Sequence, residues 1–264
     1  MTQTRYDKPA GSHAPRPVAL ILGASSGIGR EFARRYAREG FDVILVARSR
    51  DALAELALEI SETHTVEAQV RVADLSRRDD VSSIAAVIDS LPRLDHMVFS
   101  AGSAPEGDLT RSDPVSLRSM VDLNITALTL LGRAAVIRMR RSGRGTIINI
   151  ASVAGYQPTP YLAAYGASKS YVRTFSEALY EENRRHGVRV IAVSPGDTDT
   201  PMNPGAARGK RQPEDVVDTA WRALSGRAPA VIDGARNRAL AGLARLLPTR
   251  ATLLIAERMF RSQA

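Results

Sequence analysis

The chain has 264 residues and an apolar fraction of 44%, which is ordinary for a globular protein and sufficient for one core. It contains no cysteine, which excludes disulfides, thiolate catalysis and cysteine-based zinc sites, and its four histidines show no metal-ligand spacing, so we expect no bound metal. Of the net charge of +8, seven charges lie in residues 1–16 and 234–264, and the nearly neutral body has no basic stripe of the kind that binds nucleic acid.

Seven short runs rich in β-branched residues predict β-strands. They alternate with helical patterns of about ten or more residues, which is typical of βαβ units. We therefore expect a doubly wound α/β fold of the Rossmann type, with a mostly or fully parallel seven-stranded sheet between two helical layers. The predicted strands are Pro17–Leu22, Asp42–Ala47, Val66–Val72, His96–Ser100, Thr146–Ile150, Val188–Val193 and Ala230–Ile232. The predicted helices are Ile28–Arg38, Val81–Asp89, Pro114–Arg140, Ala164–Arg185 and Pro213–Leu224.

The two ends of the chain differ from its body. Residues 1–16 are polar and lack the apolar stretch of a signal peptide, so we expect a disordered arm. No run of roughly 18 apolar residues occurs, and we expect no membrane span. Residues 234–264 are basic, and Leu240, Leu243 and Leu247 share a helical face before Pro248 interrupts it. This pattern predicts an amphipathic helical extension that packs on the body or on a sister subunit; the alternative is weak contact with an anionic membrane surface.

A glycine-rich turn separates the first predicted strand from the first predicted helix. Glycine lets the backbone turn tightly and approach a phosphate closely, and the helix N-terminus offers N–H groups to a pyrophosphate. The G-x-x-x-G-x-G spacing in this position therefore predicts a dinucleotide site. Its residues are Gly23, Ser25, Ser26, Gly27, Ile28 and Gly29.

The ends of the second and third strands indicate which nicotinamide cofactor binds. An acidic residue after the second strand would bind the ribose diol of NAD(H). This chain has Arg48 there, and its guanidinium can bind a 2′-phosphate and stack on adenine, so NADP(H) is favoured; a solvated arginine is the alternative. Asp74 and Leu75 suit a hydrogen bond to the adenine edge, with a helix N-cap as the alternative for Asp74.

Tyr165 and Lys169 lie four residues apart in a predicted helix and therefore on one face of it. A neighbouring cation is expected to lower the phenol pKa toward neutral pH, which makes the pair a device for proton transfer. Only three of the 36 basic residues are Lys, so a lysine on a core-facing helix stands out. A solvated Tyr–Lys pair would explain the motif if it stood alone.

These motifs together resemble the short-chain dehydrogenase/reductase family, over residues 17–232. The resemblance implies a catalytic tetrad of Asn124, Ser152, Tyr165 and Lys169. It also implies cofactor contacts from Ser100, Ala101 and Gly102, and from a loop over the nicotinamide with Pro195, Gly196, Thr198 and Thr200. Ser100 departs from the family, which more often has Asn there, and this puts in doubt a local contact that steadies the central sheet.

The resemblance implies an oxidoreductase that transfers a hydride between NADP(H) and a small-molecule carbonyl or secondary alcohol. Tyr165 would be the general acid/base, Ser152 would orient the substrate oxygen, and Lys169 would hold the nicotinamide ribose. Asn124 would anchor a water that leads protons to Lys169. Residues 17–233 would then form the catalytic domain of a homodimer or homotetramer, for which Ala134–Arg140 and Ala178–Tyr180 offer surfaces, and we expect it in the cytoplasm.

Two other functions stay open. A 3-oxoacyl thioester reductase is one, because Arg138, Arg140 and Arg141 could dock an acidic carrier protein, although charges at a helix C-terminus explain them more simply. A non-catalytic cofactor-binding regulator is the other. The loop 197–213 is expected to cover the substrate, and its basic residues either attract an anionic substrate or are simply solvated; they are Arg208, Lys210 and Arg211.

Overall fold

One parallel sheet of seven strands organises the computed structural model, which describes residues 16–205 and 209–260. The strands are β1 (Val18–Leu22), β2 (Asp42–Ala47), β3 (Ala68–Val72), β4 (His96–Phe99), β5 (Gly145–Ile150), β6 (Val188–Ser194) and β7 (Ala230–Ile232). Their order in the sheet is β3-β2-β1-β4-β5-β6-β7, and every neighbouring pair is parallel. The predicted doubly wound α/β fold is confirmed.

Helices cover both faces of the sheet because alternate strand residues point to opposite sides. Leu20 and Leu22 enter the core on one face, and Ala19 and Ile21 enter the core on the other. The first core is completed by α3 (Arg78–Ser90), α5 (Leu128–Ser142) and α6 (Ala163–Arg184). The second is completed by α1 (Gly27–Arg38), α2 (Arg50–Thr63) and α7 (Pro213–Ala223). The remaining helices are α4 (Pro114–Val121), α8 (Ala235–Leu246) and α9 (Thr249–Phe260).

Helix α2 was not among the helices predicted from the sequence. Its signals are present: Ser49 caps its N-terminus by accepting a hydrogen bond from Ala52 N (3.4 Å), and Leu53, Leu56 and Ile60 lie on its buried face. These apolar residues repeat at three- and four-residue intervals, which is the pattern of an amphipathic helix. The other predicted elements have bounds close to those observed.

The predicted helix Pro114–Arg140 is interrupted. A π-helical turn spans Asp122–Ala127 between α4 and α5, and such turns often lie at functional sites. The whole stretch Pro114–Ser142 is long and apolar enough to cross a membrane by composition, with a mean hydropathy of 1.5 over its most apolar window. Because Leu128, Leu131 and Met139 pack into the core against the sheet, it is here the core helix of an α/β domain.

The C-terminal stretch folds as two helices, α8 and α9, separated at Pro248. Each places one face on the body: Ala241 in α8 and Thr252 and Ala256 in α9 are buried. The other faces expose large apolar side chains; these are Leu240, Leu243, Leu246, Leu253, Leu254 and Ile255. Apart from residue 16, the predicted N-terminal arm lies outside the described residues.

Candidate active site

A cleft of about 570 Å³ opens at the carboxyl ends of the strands. It lies where the order of the sheet reverses, between β1 and β4, which is where ligands bind in open α/β sheets. Of the predicted site residues, Gly29 and Asn124 lie outside its lining and all the others lie within it. Residues more than 170 positions apart in sequence therefore meet along one groove.

The glycine-rich turn forms one wall of this cleft. Gly23 N donates to Val46 O (2.8 Å), which joins the turn to the end of β2. A Cβ on Gly29 would overlap the carbonyl of Gly23, so glycine is needed for α1 to start this close to β1. Ser26 precedes α1 and makes no side-chain capping bond, so its hydroxyl occupies none of the N–H groups at the start of the helix. This arrangement fits a pyrophosphate.

Replacing Gly29 with Ala is expected to lower the free energy of unfolding by about 1 to 3 kcal/mol, because the added methyl group overlaps backbone rather than a movable side chain. The matched control is Gly242→Ala in α8, where a Cβ would meet no atom within 4 Å. Urea unfolding of both variants checks this expectation. A Gly29→Ala protein as stable as the wild type would show that the turn can move away from α1.

Arg48 and Asp74 lie at the other end of the cleft. The Arg48 side chain is exposed, and among the described residues it has no hydrogen bond or ion pair, so its guanidinium is available to a ligand. Burial alone would raise the pKa of Asp74, but hydrogen bonds from Ser76 and the charges of Arg48 and Arg77 outweigh burial and hold that pKa below its usual value. Asp74 is thus an anion beside the Arg48 charge, and Oδ1 of Asp74 accepts from Ser76 N (3.0 Å).

Ser152 is the second residue after the end of β5. The backbone before and after it is bonded to the end of β6, since Ala151 N donates to Val193 O (2.8 Å) and Val153 N donates to Pro195 O (2.9 Å). A Cβ on Gly155 would lie 2.7 Å from the backbone carbon of Lys169, so this glycine lets the Ser152 loop pack closely on α6. These contacts place the Ser152 hydroxyl beside Tyr165.

Tyr165 and Lys169 line the cleft from the first two turns of α6. The Lys169 side chain is buried, and its Nζ donates to Ile150 O (2.8 Å) and lies 5.8 Å from the centre of the Tyr165 ring. Burial lowers the pKa of Lys169 to about 8. The pKa of Tyr165 lies above its ordinary value. Burial raises this pKa most, the hydrogen bond with Ser152 lowers it, and the charge of Glu106 raises it further.

The expected lowering of the Tyr165 pKa by Lys169 is therefore wrong for the protein alone. The burial of the phenol, which the sequence does not reveal, is the largest influence, and the largest opposing one is the hydrogen bond with Ser152. A phenol is protonated at neutral pH even at its ordinary pKa, and burial favours this form of Tyr165 further. In this state the phenol can donate a proton to an acceptor in the cleft.

Asn124 lies at the π-helical turn, almost completely buried. Its Oδ1 accepts from Ser103 N, and its Nδ2 donates to Ser103 O and to Ser168 Oγ, each at 3.0 Å. It therefore joins the segment after β4 to α6. Asn124 Oδ1 and Lys169 Nζ each lie 3.4 Å from the point where a Cβ on Gly102 would stand, so at most twice that distance separates them. The water between them stays a prediction.

The loop after β6 closes the cleft. Pro195, Gly196, Thr198 and Thr200 line it as predicted, and so do three residues that the sequence did not indicate: Pro201, Met202 and Asn203. Lys210 and Arg211, the two basic residues described in this loop, are bonded within the chain. Lys210 Nζ donates to the carbonyls of Asn203 and Gly205, and Arg211 Nε donates to Asp233. Arg208 lies outside the described residues.

Other residues of the site were also missed from the sequence. The backbone carbonyl of Ile150 accepts a hydrogen bond from Lys169. The hydroxyl oxygen of Ser168, the residue before Lys169 in α6, accepts one from Asn124. Neither a backbone carbonyl nor a single serine in a helix has a sequence pattern that would predict such a role. Ser100, the departure from the family pattern, donates its backbone N–H to Leu22 O (2.8 Å); this bond does not depend on the side chain, and the loss of a contact from an Asn side chain stays a prediction.

Comparison with known proteins agrees with this geometry. The model of the family described as short chain dehydrogenase matches residues 17–211. A 7beta-hydroxysteroid dehydrogenase of Mediterraneibacter gnavus is 30% identical, over 83% of this chain and 87% of its own. The very-long-chain 3-oxoacyl-CoA reductase of Anas platyrhynchos is 35% identical, over 70% of this chain and 61% of its own.

Solved structures agree as well. A short-chain dehydrogenase from Sphingobium yanoikuyae, solved in complex with NADPH, superposes with a TM-score of 0.79 at 33% identity, over 87% of this chain and 94% of its own. The family model's match, residues 17–211, includes strands β1 to β6, the glycine-rich turn and the helix that carries Tyr165 and Lys169. The chain belongs to the short-chain dehydrogenase/reductase family of oxidoreductases.

Proposed function

We propose that the protein is an NADPH-dependent reductase of ketones, or in reverse a dehydrogenase of secondary alcohols. The observation that carries this proposal is the meeting of Ser152, Tyr165 and Lys169 on one wall of the cleft, next to the glycine-rich turn. A nicotinamide cofactor bound there supplies the hydride. The protein supplies the proton and the groups that orient the substrate oxygen.

Each side chain has a role that follows from its surroundings. Tyr165 is protonated at neutral pH, as an ordinary phenol is, and burial favours that form further; it donates its proton to the substrate oxygen as that oxygen gains negative charge. Ser152 donates a hydrogen bond to the same oxygen and stabilises its charge. Lys169 holds its ammonium beside the tyrosine and contacts the nicotinamide ribose.

The preference for NADPH rests on Arg48. It lies at the end of β2, exposed and lining the cleft, where a carboxylate would serve NADH. Its guanidinium is suited to a bidentate contact with a 2′-phosphate. The NADPH complex of the Sphingobium relative supports a phosphorylated cofactor.

Replacing Arg48 with Asp is expected to change the ratio of NADPH to NADH affinity by about 10- to 100-fold, because a charge-assisted hydrogen bond is lost and a repulsive carboxylate is added. The control is Arg50→Asp, the same change two residues away at the start of α2, which lies outside the cleft lining. Fluorescence titration with both nucleotides measures the ratio. An unchanged ratio would remove Arg48 from the phosphate site.

For the substrate, we propose a ketone on a bulky apolar body, because one relative is named as a dehydrogenase of a hydroxysteroid, and oxidation of such an alcohol gives a ketone on an apolar ring system. The acyl-CoA reductase relative favours a second candidate, a 3-oxoacyl thioester. Docking of an acidic carrier protein has lost its support, because the three arginines proposed for it are bonded within the chain: Arg138 to Leu91 O, Arg140 to Asn183 and Arg141 to Asp89. Comparing kcat/KM for steroid ketones and 3-oxoacyl-CoA esters with NADPH decides between these classes.

A further inference from the structure

A carboxylate outside the proposed catalytic set is completely buried at the end of β7. Asp233 has no exposed surface, and a buried carboxylate is costly unless a cation and hydrogen bonds compensate it. Its Oδ2 accepts from Arg211 Nε at 2.5 Å, and its Oδ1 accepts from Thr219 Oγ1 at 2.6 Å. The cation of Arg211 is therefore fixed at this point of the fold.

Arg211 also holds the loop that closes the cleft. Its backbone N–H donates to Asp197 O (2.9 Å), and its carbonyl accepts from Asp199 N (2.8 Å). These two bonds enclose Thr198, which is buried and lines the cleft. The side chain of Arg211 is thus bonded to the end of β7 while its backbone is bonded to the Thr198 segment.

A second contact from the same place supports the loop. Asn237, in the first turn of α8, donates from its Nδ2 to Asp233 O (2.8 Å). Its side chain occupies the space that a Cβ on Gly196 would need. The loop 195–200 is therefore held on one side by Arg211 and on the other by Asn237, and both side chains are bonded to Asp233.

We propose that Arg211 and Asp233 are positioning residues that hold the Thr198 loop where it contacts the nicotinamide half of the cofactor. The inference rests on the proposed function, because that function supplies the cofactor. Arg48 and Asp74, at the far end of the cleft, serve the adenosine half. Loss of the ion pair should therefore weaken binding of the nicotinamide half and leave the adenosine half unaffected.

The test compares two ligands, NADPH and adenosine 2′,5′-bisphosphate, which lacks the nicotinamide. Removing Arg211 alone leaves a buried charge without its cation and endangers folding, so the variant is the double change Arg211→Met with Asp233→Asn. We expect NADPH affinity to fall by about 2- to 30-fold, the range for residues that act through a positioning contact, with the affinity for adenosine 2′,5′-bisphosphate unchanged. The single variant Arg211→Lys, which keeps the positive charge beside Asp233, should lose less NADPH affinity than the double variant.

The control is the double change Arg93→Met with Asp95→Asn. This ion pair has the same 2.5 Å separation but precedes β4 and so lies at the amino ends of the strands, away from the cleft at their carboxyl ends; both affinities should therefore stay as in the wild type. Equal loss of both ligands in the Arg211/Asp233 variant would overturn the proposal, because the pair would then support the fold as a whole. Unchanged affinity for both would overturn it as well.

Trypsin cleavage after Lys210, measured without nucleotide, separates this proposal from the proposed function. Cleavage should be faster in the single variant Asp233→Asn, which leaves the Lys210–Arg211 bond itself unchanged, than in the wild type and in the control. If the wild type bound no NADPH, the proposed function would fail, and cleavage would still report whether the ion pair holds the loop. An unchanged cleavage rate would show that it does not.

Discussion

Replacing Tyr165 with Phe is expected to lower kcat by about 10²- to 10⁴-fold, the usual contribution of a general acid, with NADPH affinity nearly unchanged. The phenyl ring fills the same space on α6, and the change removes the proton that Tyr165 would give to the substrate oxygen together with its hydrogen bond with Ser152. Steady-state rates with a ketone substrate and a fluorescence titration with NADPH measure the two quantities separately.

The matched control is Tyr171→Phe in the same helix. The Tyr171 hydroxyl is also half-buried and hydrogen-bonded, to Thr129 Oγ1 at 2.7 Å, but it lies outside the cleft lining. Turnover of this control should stay near that of the wild type. If Tyr165→Phe instead lost NADPH affinity and kept its turnover, Tyr165 would be a structural residue of the cofactor site and not the acid.

Replacing Lys169 with Met is expected to abolish most turnover. At pH 7 the variant should be as stable as the wild type or up to about 3 kcal/mol more stable, because replacing a buried charge by an apolar side chain of similar size is often neutral or stabilising. Burial lowers the pKa of Lys169 to about 8 from the usual 10.5. The folded state therefore carries an ammonium at pH 7 that the unfolded chain would hold at lower free energy.

The sign of the pH dependence follows from these two values. Between pH 8 and pH 10.5 the unfolded chain keeps the Lys169 proton while the folded protein loses it, so the contribution of Lys169 to stability rises across this interval. Lys169→Met removes that rise. The control Arg173→Met, one turn further along α6 in an ion pair with Glu177, keeps it. Urea unfolding at several pH values, without cofactor, measures the free energy of unfolding of each protein. If this free energy changed with pH in the same way in the wild type and in Lys169→Met, the argument would be contradicted.

The sheet could be predicted from the sequence because its strands are short β-branched runs between turn residues, a strong local signal. The glycine-rich turn and Arg48 could be predicted because they directly follow strands, and parallel strands bring the segments after them to one end of the sheet. Ser152, Asn124 and the loop after β6 were expected only from the resemblance to the family. The π-helical turn at Asn124 could not, because a helix with one polar residue has the same pattern whether or not a π turn interrupts it. Burial likewise decides the pKa of Tyr165, and burial is a tertiary property.

The Arg211–Asp233 pair shows a further limit. The sequence indicated a basic loop, and one interpretation was that its three cations attract an anionic substrate. In the fold, Lys210 bonds backbone carbonyls and Arg211 bonds a carboxylate 22 residues later in the chain. The same holds for Arg138, Arg140 and Arg141, which are bonded within the chain. Charge is visible in a sequence, but the partners of a charge depend on long-range packing.

The measurement that tests the central claim most directly is a calorimetric titration of the wild-type protein with NADPH and with NADH. The claim is that the cleft between the glycine-rich turn and Tyr165 binds a nicotinamide cofactor through Arg48. It predicts saturable binding of NADPH, about 10-fold or more tighter than that of NADH. Equal affinities would remove Arg48 from the argument, and binding of neither nucleotide would contradict the proposed function.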